Sequence, residues 1–497
     1  MLSPTGRLLR PARPGEAGLR PGRFAAAAAG SALIAGTTFA LAGAAAGPAA
    51  RSAPARPASH AASPAVVIVP DAMHAAHALA APPSTAYCEQ HFKIACYLPG
   101  QIQQAYGLPQ LYRRGITGTG QTIVIVDSFG SPTVAHDLAV FDKTAGLPAP
   151  PSLRVIQPAG QVPPYKPTDD RVGWAGETDL DVEYAHDIAP GASILLVETP
   201  TSEDEGTTGF PQIVTAEKFV ISHHLGGVIS QSFSATEQTF ATKASLLNLR
   251  GAYTAARAAG VTVLAASGDS GAADVRFDGS TFYLKPVTSW PDSDPFVTGV
   301  GGTQLHLAGA GQPGPATVWN DTFNVPTNEF VFGNAGPNAL AGGGGKSVIF
   351  SRPGYQDSVA SVVGSRRGVP DISMSGACNG SADMYQSFAG QPAGWYPTCG
   401  TSEATPEFAG IVALASEVAG HPLGLINPAL YALSGEQAAG IVDVTSGNNT
   451  VEFPQGGKNN TVLGFGARPG YDLASGVGTV WAPLFVPELA YAAIARG

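Results

Sequence analysis

The chain has 497 residues and 44% hydrophobic content, enough to bury a large core in one big domain or in two to three average ones. A formal net charge of −10 argues against a nucleic-acid binder, which would present a basic face. Seven arginines and a single acid fall in the first 60 residues, so the rest of the chain is more acidic still.

Arg7, Arg10, Arg13, Arg20 and Arg23 precede an apolar, Ala-rich run over 24–46 that ends among small residues. This predicts a signal peptide at 1–47 and export of the remainder. Residues 48–96 are rich in Ala, Pro and Ser, a composition too poor in large apolar side chains to offset ordering entropy. They read as a linker or a vestigial pro-segment. One domain over 97–497, without internal repeats, is the economical expectation for the rest. Its four cysteines are Cys88, Cys96, Cys378 and Cys399. Export favours disulfides, and of the three connectivities proximity in sequence favours Cys88 with Cys96 and Cys378 with Cys399. No CxxC spacing calls for zinc.

Apolar β-branched runs at 122–126, 193–197, 227–230 and 261–265 predict buried strands. Amphipathic stretches at 177–188, 211–224 and 244–258 predict helices between them. This alternation implies an α/β fold, a mostly parallel central sheet flanked by helices on both faces. From 272 to 345 the pattern breaks into Gly, Pro, Asn and Asp-rich pieces, predicting long loops and short antiparallel strands. A helix resumes at Ala404.

Three segments carry chemistry. Gly400-Thr401-Ser402-Glu403-Ala404-Thr405-Pro406 puts a serine just ahead of a helix, beside backbone N–H groups suited to an oxyanion. The same residues would also serve ordinary N-capping. In Gly176-Glu177-Thr178-Asp179-Leu180-Asp181, Glu177 and Asp181 stand i, i+4 on one helix face. Such like charges are either solvated or share a proton. In Ser267-Gly268-Asp269-Ser270, Asp269 follows a strand at its carboxyl end, where open α/β sheets place their sites, although alone it reads as a turn former.

Taken together the three segments resemble the sedolisin family of serine-carboxyl peptidases, which have a subtilisin-like fold with glutamate in place of histidine. Trp290-Pro291, the run 295–303, the run 350–356 and Val369-Pro370-Asp371 extend the resemblance over most of 97–497. It implies Ser402 as nucleophile, Glu177 as base, Asp181 as its partner and Asp269 as the acid in the oxyanion hole. The implied protein is a secreted, extracellular endopeptidase with polypeptide substrates, no nucleic acid and no stable membrane partner, working as a monomer. A carboxylate base with a pKa near 4 stays ionised in acid, where an imidazole of pKa about 6.5 would be protonated, so acid operation is expected.

Asp443-Val444-Thr445-Ser446-Gly447-Asn448-Asn449 and Arg468-Pro469-Gly470-Tyr471-Asp472 resemble the family's calcium loops. They imply one structural Ca2+ held by the side chains of Asp443 and Asp472 and the carbonyls of Val444, Arg468 and Gly470. The chain departs from the family where Phe233 replaces Trp and Ser234 replaces Gly in Ser230-Gln231-Ser232-Phe233-Ser234. Arg468 stands where Gly is common, and a short low-complexity segment stands in place of a long folded propeptide. Two rival readings follow: a histidine-dependent subtilisin using Asp127 with His136 or His186, and a catalytically inactive secreted binding protein that keeps the fold.

Overall fold

The computed structural model describes residues 73–74, 78–308, 312–436 and 440–494. The expected signal peptide and the linker up to residue 72 lie outside the described residues. The main sheet has eight strands: β1 (Thr122–Ser128), β2 (Leu153–Ile156), β3 (Ser193–Thr199), β4 (Val228–Gln231), β5 (Thr262–Ala266), β6 (Thr298–Gln304), β7 (Thr317–Val318) and β8 (Ile372–Ser375). Their order is β7-β6-β5-β4-β1-β3-β2, with β8 also paired to β6, and every pairing is parallel except β6 with β7.

Period-two alternation divides the core between the two faces of this sheet. Ile123, Ile125, Ile194 and Leu196 point to one cluster, which includes Leu180 and Ile188 of α2 (Arg171–Ile188) and Phe408 and Ile411 of α5 (Thr401–Ala419). The same cluster takes in Leu138 and Phe141 of α1 (Val134–Ala145) and Phe485 of α6 (Ala482–Ile494). Val124, Val126, Leu195 and Val197 point to the other, with α3 (Phe210–Ser222) and α4 (Gly251–Ala259). Helices thus cover both faces, as the strand and helix alternation implies. Among the described residues no helix is long and apolar enough to cross a membrane.

Three differences from the sequence reading have physical causes. The stretch expected as one helix over 244–258 is two: Thr242 and Ser245 cap a short helix, Lys243–Leu247, by exchanging backbone-to-hydroxyl bonds of 3.0 Å each. The chain then turns so that Arg250 reaches the buried Asp294, and Gly251 opens α4. Strand β6 lies in the stretch expected to break into long loops and short antiparallel strands. Its Gly299, Gly301 and Gly302 hide the apolar period, yet it is a central strand; the rest of 272–345 does break into loops and short antiparallel pairs such as Leu307–Ala308 with Gln312–Pro313.

The described structure also includes residues ahead of residue 97. Helix Thr85–His91, capped by the Ser84 hydroxyl, is tied by the Cys88–Cys96 disulfide to strand Cys96–Tyr97. That strand joins a second sheet with β9 (Ser381–Gln386), β10 (Gly394–Cys399) and the short strand Met73–His74. The second disulfide joins Cys378 to Cys399, so both pairings are those favoured by proximity in sequence.

Helices α2 and α5 pack tightly at Gly410, where an added Cβ would lie 2.5 Å from Ile188 Cβ. Gly410→Ala should therefore wedge the helices apart and cost about 1–3 kcal/mol in denaturant unfolding. Gly354→Ala, at an exposed position with nothing within 4 Å of its Cβ, should stay within about 0.5 kcal/mol of the parent. Equal stability of the two variants would show that the helices can part without cost.

Candidate active site

Helix α5 starts at Thr401, three residues earlier than expected, so Ser402 sits in its first turn, where backbone N–H groups have no intrahelical partner. Its side chain keeps a small opening to solvent, the residue being 7% exposed. Gly400 is the N-cap, with φ of +134°, and a Cβ there would meet Asp269 Oδ2 at 2.7 Å. Only glycine suits that position, and its bareness lets Asp269 approach the helix start. Asp269 Oδ1 accepts from the Thr401 N–H at 2.7 Å and from the Thr401 hydroxyl at 2.8 Å, while Thr401 Oγ1 accepts from the Gly268 N–H at 3.1 Å. One carboxyl and one helix N-terminus are thereby locked together across the loop that follows β5.

Pro406 lies inside α5 and has no N–H for the Ser402 carbonyl four residues back. Ser232, just past β4, is placed 3.4 Å from that carbonyl and donates its hydroxyl to Asp181 Oδ1 at 2.7 Å. This serine is the bridge between the nucleophile candidate's backbone and the acids of α2. Glu177 and Asp181 are both fully buried, which rules out the reading of a solvated surface pair. Burial holds the Asp181 carboxyl well above the usual carboxylate range; the charges of Asp127 and Glu177 add to the rise, and the Ser232 bond opposes it.

Asp127, near the end of β1, is thus a third carboxyl beside the pair, pushed up to about 7 chiefly by burial, with Thr178 opposing and Glu198 adding. The sequence reading had it only in the histidine-dependent rival, although its place at the carboxyl end of the first strand was a usable signal. That rival does not assemble. His136 is largely exposed and bound to Asp137, and His186 is buried with its Nε2 2.8 Å from the Pro148 carbonyl and 3.3 Å from Asp142.

Two further acids escaped the sequence reading. Glu403 and Glu407 of α5 are fully buried. Both carboxyls are held well above the usual range, first by desolvation; Asp269 adds to the rise of Glu403, and Glu403 and Asp187 add to that of Glu407. Their i, i+4 spacing ahead of the apolar run 408–415 was the available signal. Ser232, Phe233, Ser234, Asp269, Thr401 and Ser402 line one cavity of about 370 Å3. Phe233, in the family's Trp position, packs edge-on to Trp174 and Phe210 at 6.4 and 6.1 Å between centroids.

The two acids proposed for calcium brace a single turn. Asp443 Oδ2 accepts from the Gly470 N–H at 2.9 Å, and Asp472 Oδ2 from the Arg468 N–H at 3.1 Å. Asp472 Oδ1 accepts from the N–H groups of Ala474 and Ser475 at 2.9 Å each. No group of three or more His, Cys, Asp or Glu among the described residues is arranged to hold a metal. The carboxylate oxygens of Asp443 and Asp472, brought to one turn, are of the hard-donor type that suits calcium.

Buried acids with raised folded-state pKa values bind protons more tightly folded than unfolded. Their contribution is fully present below the unfolded carboxylate pKa of about 4 and is lost as pH rises through the folded values. Those are about 7 for Asp127 and about 8 for Asp187. Unfolding free energy should therefore fall between about pH 4 and 8. Asp187→Asn, which keeps an acceptor for Gln103, should remove up to about 1.4 kcal/mol per pH unit from that slope. Denaturant titrations at unit pH intervals measure it, and a parent curve that rises over this range would contradict the assignment.

Comparison with known proteins places this geometry among relatives. A family model described as "Subtilase family" matches residues 172–465. The chain is 33% identical over 390 residues to kumamolisin of Bacillus sp. (strain MN-32), covering 77% of this chain and 62% of that protein. It is 31% identical over 369 residues to sedolisin of Pseudomonas sp. (strain 101), covering 73% and 57%. It therefore spans about three-fifths of the length of these relatives. The solved structure of Pseudomonas sedolisin, a serine-carboxyl proteinase complexed with two molecules of pseudo-iodotyrostatin, superposes with a TM-score of 0.65 at 27% identity, covering 81% of this chain and 99% of that one.

Proposed function

Because the chain belongs to the subtilase family, in its sedolisin branch, we propose that it is a serine-carboxyl endopeptidase that hydrolyses polypeptides in acid. The observation that carries this reading is the junction at the start of α5, where Asp269 is fastened beside Ser402 in the cavity while Ser232 links the same turn to Asp181. In the proposed reaction Glu177 takes the proton from the Ser402 hydroxyl as its oxygen attacks the scissile carbonyl carbon. The oxyanion that forms accepts hydrogen bonds from the Ser402 N–H and from Asp269 acting as a neutral acid. Glu177 then protonates the leaving amine, and water repeats the cycle on the acyl-enzyme. Asp181, held by Ser232, orients Glu177 and shares its proton.

Export through the signal peptide at 1–47 is part of the proposal, and the two disulfides support it, since such bonds persist in oxidising compartments. So is the structural calcium ion. Asp443 and Asp472, with the carbonyls of Val444, Arg468 and Gly470, would hold it, and it would supply a charge that clips two loops distant in sequence.

Cleavage of a denatured protein should peak between roughly pH 3 and 5, since a carboxylate base works there. Ser402→Ala and Glu177→Ala should each lower turnover by about four orders of magnitude or more, because nucleophile and base fail as a unit. Full loss in Ser402→Ala also separates an enzyme from an inactive binding protein. Asp269→Asn keeps an N–H donor and should retain measurable activity, whereas Asp269→Ala should lose about 2.7–4 kcal/mol of transition-state stabilisation. Equal loss in the Asn and Ala variants would make Asp269 structural.

For calcium, a chelator should lower the melting temperature, and Asp472→Ala should do so without chelator. Unchanged melting in both tests, with no bound metal in elemental analysis, would remove the ion.

A further inference from the structure

The cavity lined by Ser402 and Asp269 is also lined by three acids outside the proposed machinery, Glu203, Glu205 and Asp274. Glu203 and Glu205 come from the loop between β3 and α3, and Asp274 from the loop that carries Asp269. Asp274 faces the catalytic loop directly: a Cβ on Gly268 would lie 4.0 Å from its Oδ2. Two of the three are well anchored. Glu205 Oε2 accepts from the Thr236 N–H at 2.9 Å and the Thr239 hydroxyl at 2.7 Å, and Asp274 accepts from the Val275 N–H at 2.8 Å and from the Ser289 hydroxyl. Glu203 is different. It is only 7% exposed, and its Oε1 has no hydrogen-bond partner.

These acids have no counter-charge. No ion pair among the described residues engages any of them. The nearby Arg276 stacks on Tyr283 at 4.6 Å and donates to the Phe282 carbonyl. Burial first, and then the charges of Asp204 and Asp274, push Glu203 up to about 8; burial first, and then the charges of Asp274 and Glu203, push Glu205 up to about 9 against the Thr239 bond. Val275, Phe282 and Phe453 add apolar wall to the same cavity. A cavity that combines apolar wall with carboxyls lacking an ion-pair partner is complementary to an aliphatic stem with a positive tip.

We propose that this cavity is a subsite for a basic side chain, lysine or arginine, of the polypeptide substrate, and that Glu203 meets its charge. The stem packs on the apolar wall, and the cation takes the place of one proton of the cluster, which leaves to solvent. The proposal rests on Ser402 acting as a peptidase nucleophile, so its test includes an arm that needs no turnover.

In that arm, Ser402→Ala protein is titrated by calorimetry with peptides that differ only in carrying Lys or norleucine at each of three adjacent positions in turn. At one position the Lys peptide should bind about tenfold tighter, the worth of one charge-assisted contact. The preference should vanish in Ser402→Ala/Glu203→Gln. Equal affinities for Lys and norleucine at all three positions would overturn the proposal. In the second arm, kcat/KM is compared for the same peptides with the otherwise unaltered protein and with Glu203→Gln and Asp274→Asn. The Lys over norleucine ratio should drop about tenfold in each variant, while kcat/KM for the norleucine peptide changes by less than about threefold. A ratio unchanged in variants that still cleave would equally overturn it. Absence of any cleavage together with the binding preference would sink the peptidase reading and leave the cationic subsite standing.

Discussion

The rest of the structure depends on the contact between α2 and α5. These two helices lie side by side under one face of the sheet, and each brings acids into a region with almost no water. Glu177, Asp179, Asp181 and Glu183 of α2 and Glu403 and Glu407 of α5 are all at most 1% exposed. Carboxylates cannot be desolvated at such density unless they hold protons or share them, so the chemistry of the site and the pH range of the fold stem from one constraint. Gly410 lets the two helices pack tightly, since a Cβ there would collide with Ile188.

The parallel sheet supplies the other half of the design. Asp127, Ser232 and Asp269 lie at or just past the carboxyl ends of β1, β4 and β5, three neighbours in the sheet. A parallel sheet turns all its carboxyl ends to one edge, so residues far apart in sequence arrive together without a dedicated scaffold. Helix α5 then offers its N-terminus to that edge. The interior Pro406 frees a carbonyl in the same turn, and Ser232 lies against it.

What the sequence disclosed follows from how local each signal is. Strands β1, β3, β4 and β5 were legible because buried parallel strands read as runs of β-branched and aliphatic residues. β6 was not, since its glycines carry no hydrophobicity. Ser402, Glu177, Asp181 and Asp269 could be proposed because each sits in a short motif, and motif chemistry is local. The proximity of Asp127 to Asp181, the burial of Glu403 and Glu407, and the meeting of Glu203 with Asp274 depend on tertiary packing that no spacing rule encodes. The break at Asn248–Arg250 was hidden for the same reason: the partner of Arg250, Asp294, lies 44 residues away.

The separations along the chain have a consequence of their own. Asp269 meets Thr401 across 132 residues, and Ser232 meets Ser402 across 170. Ser402 and Asp269 thus come from stretches far apart in sequence, and only the folded chain brings them together. Long-range closures of this kind also form late, because loop entropy must be overcome before they are rewarded. The residues proposed to act together are therefore expected to meet only late in folding.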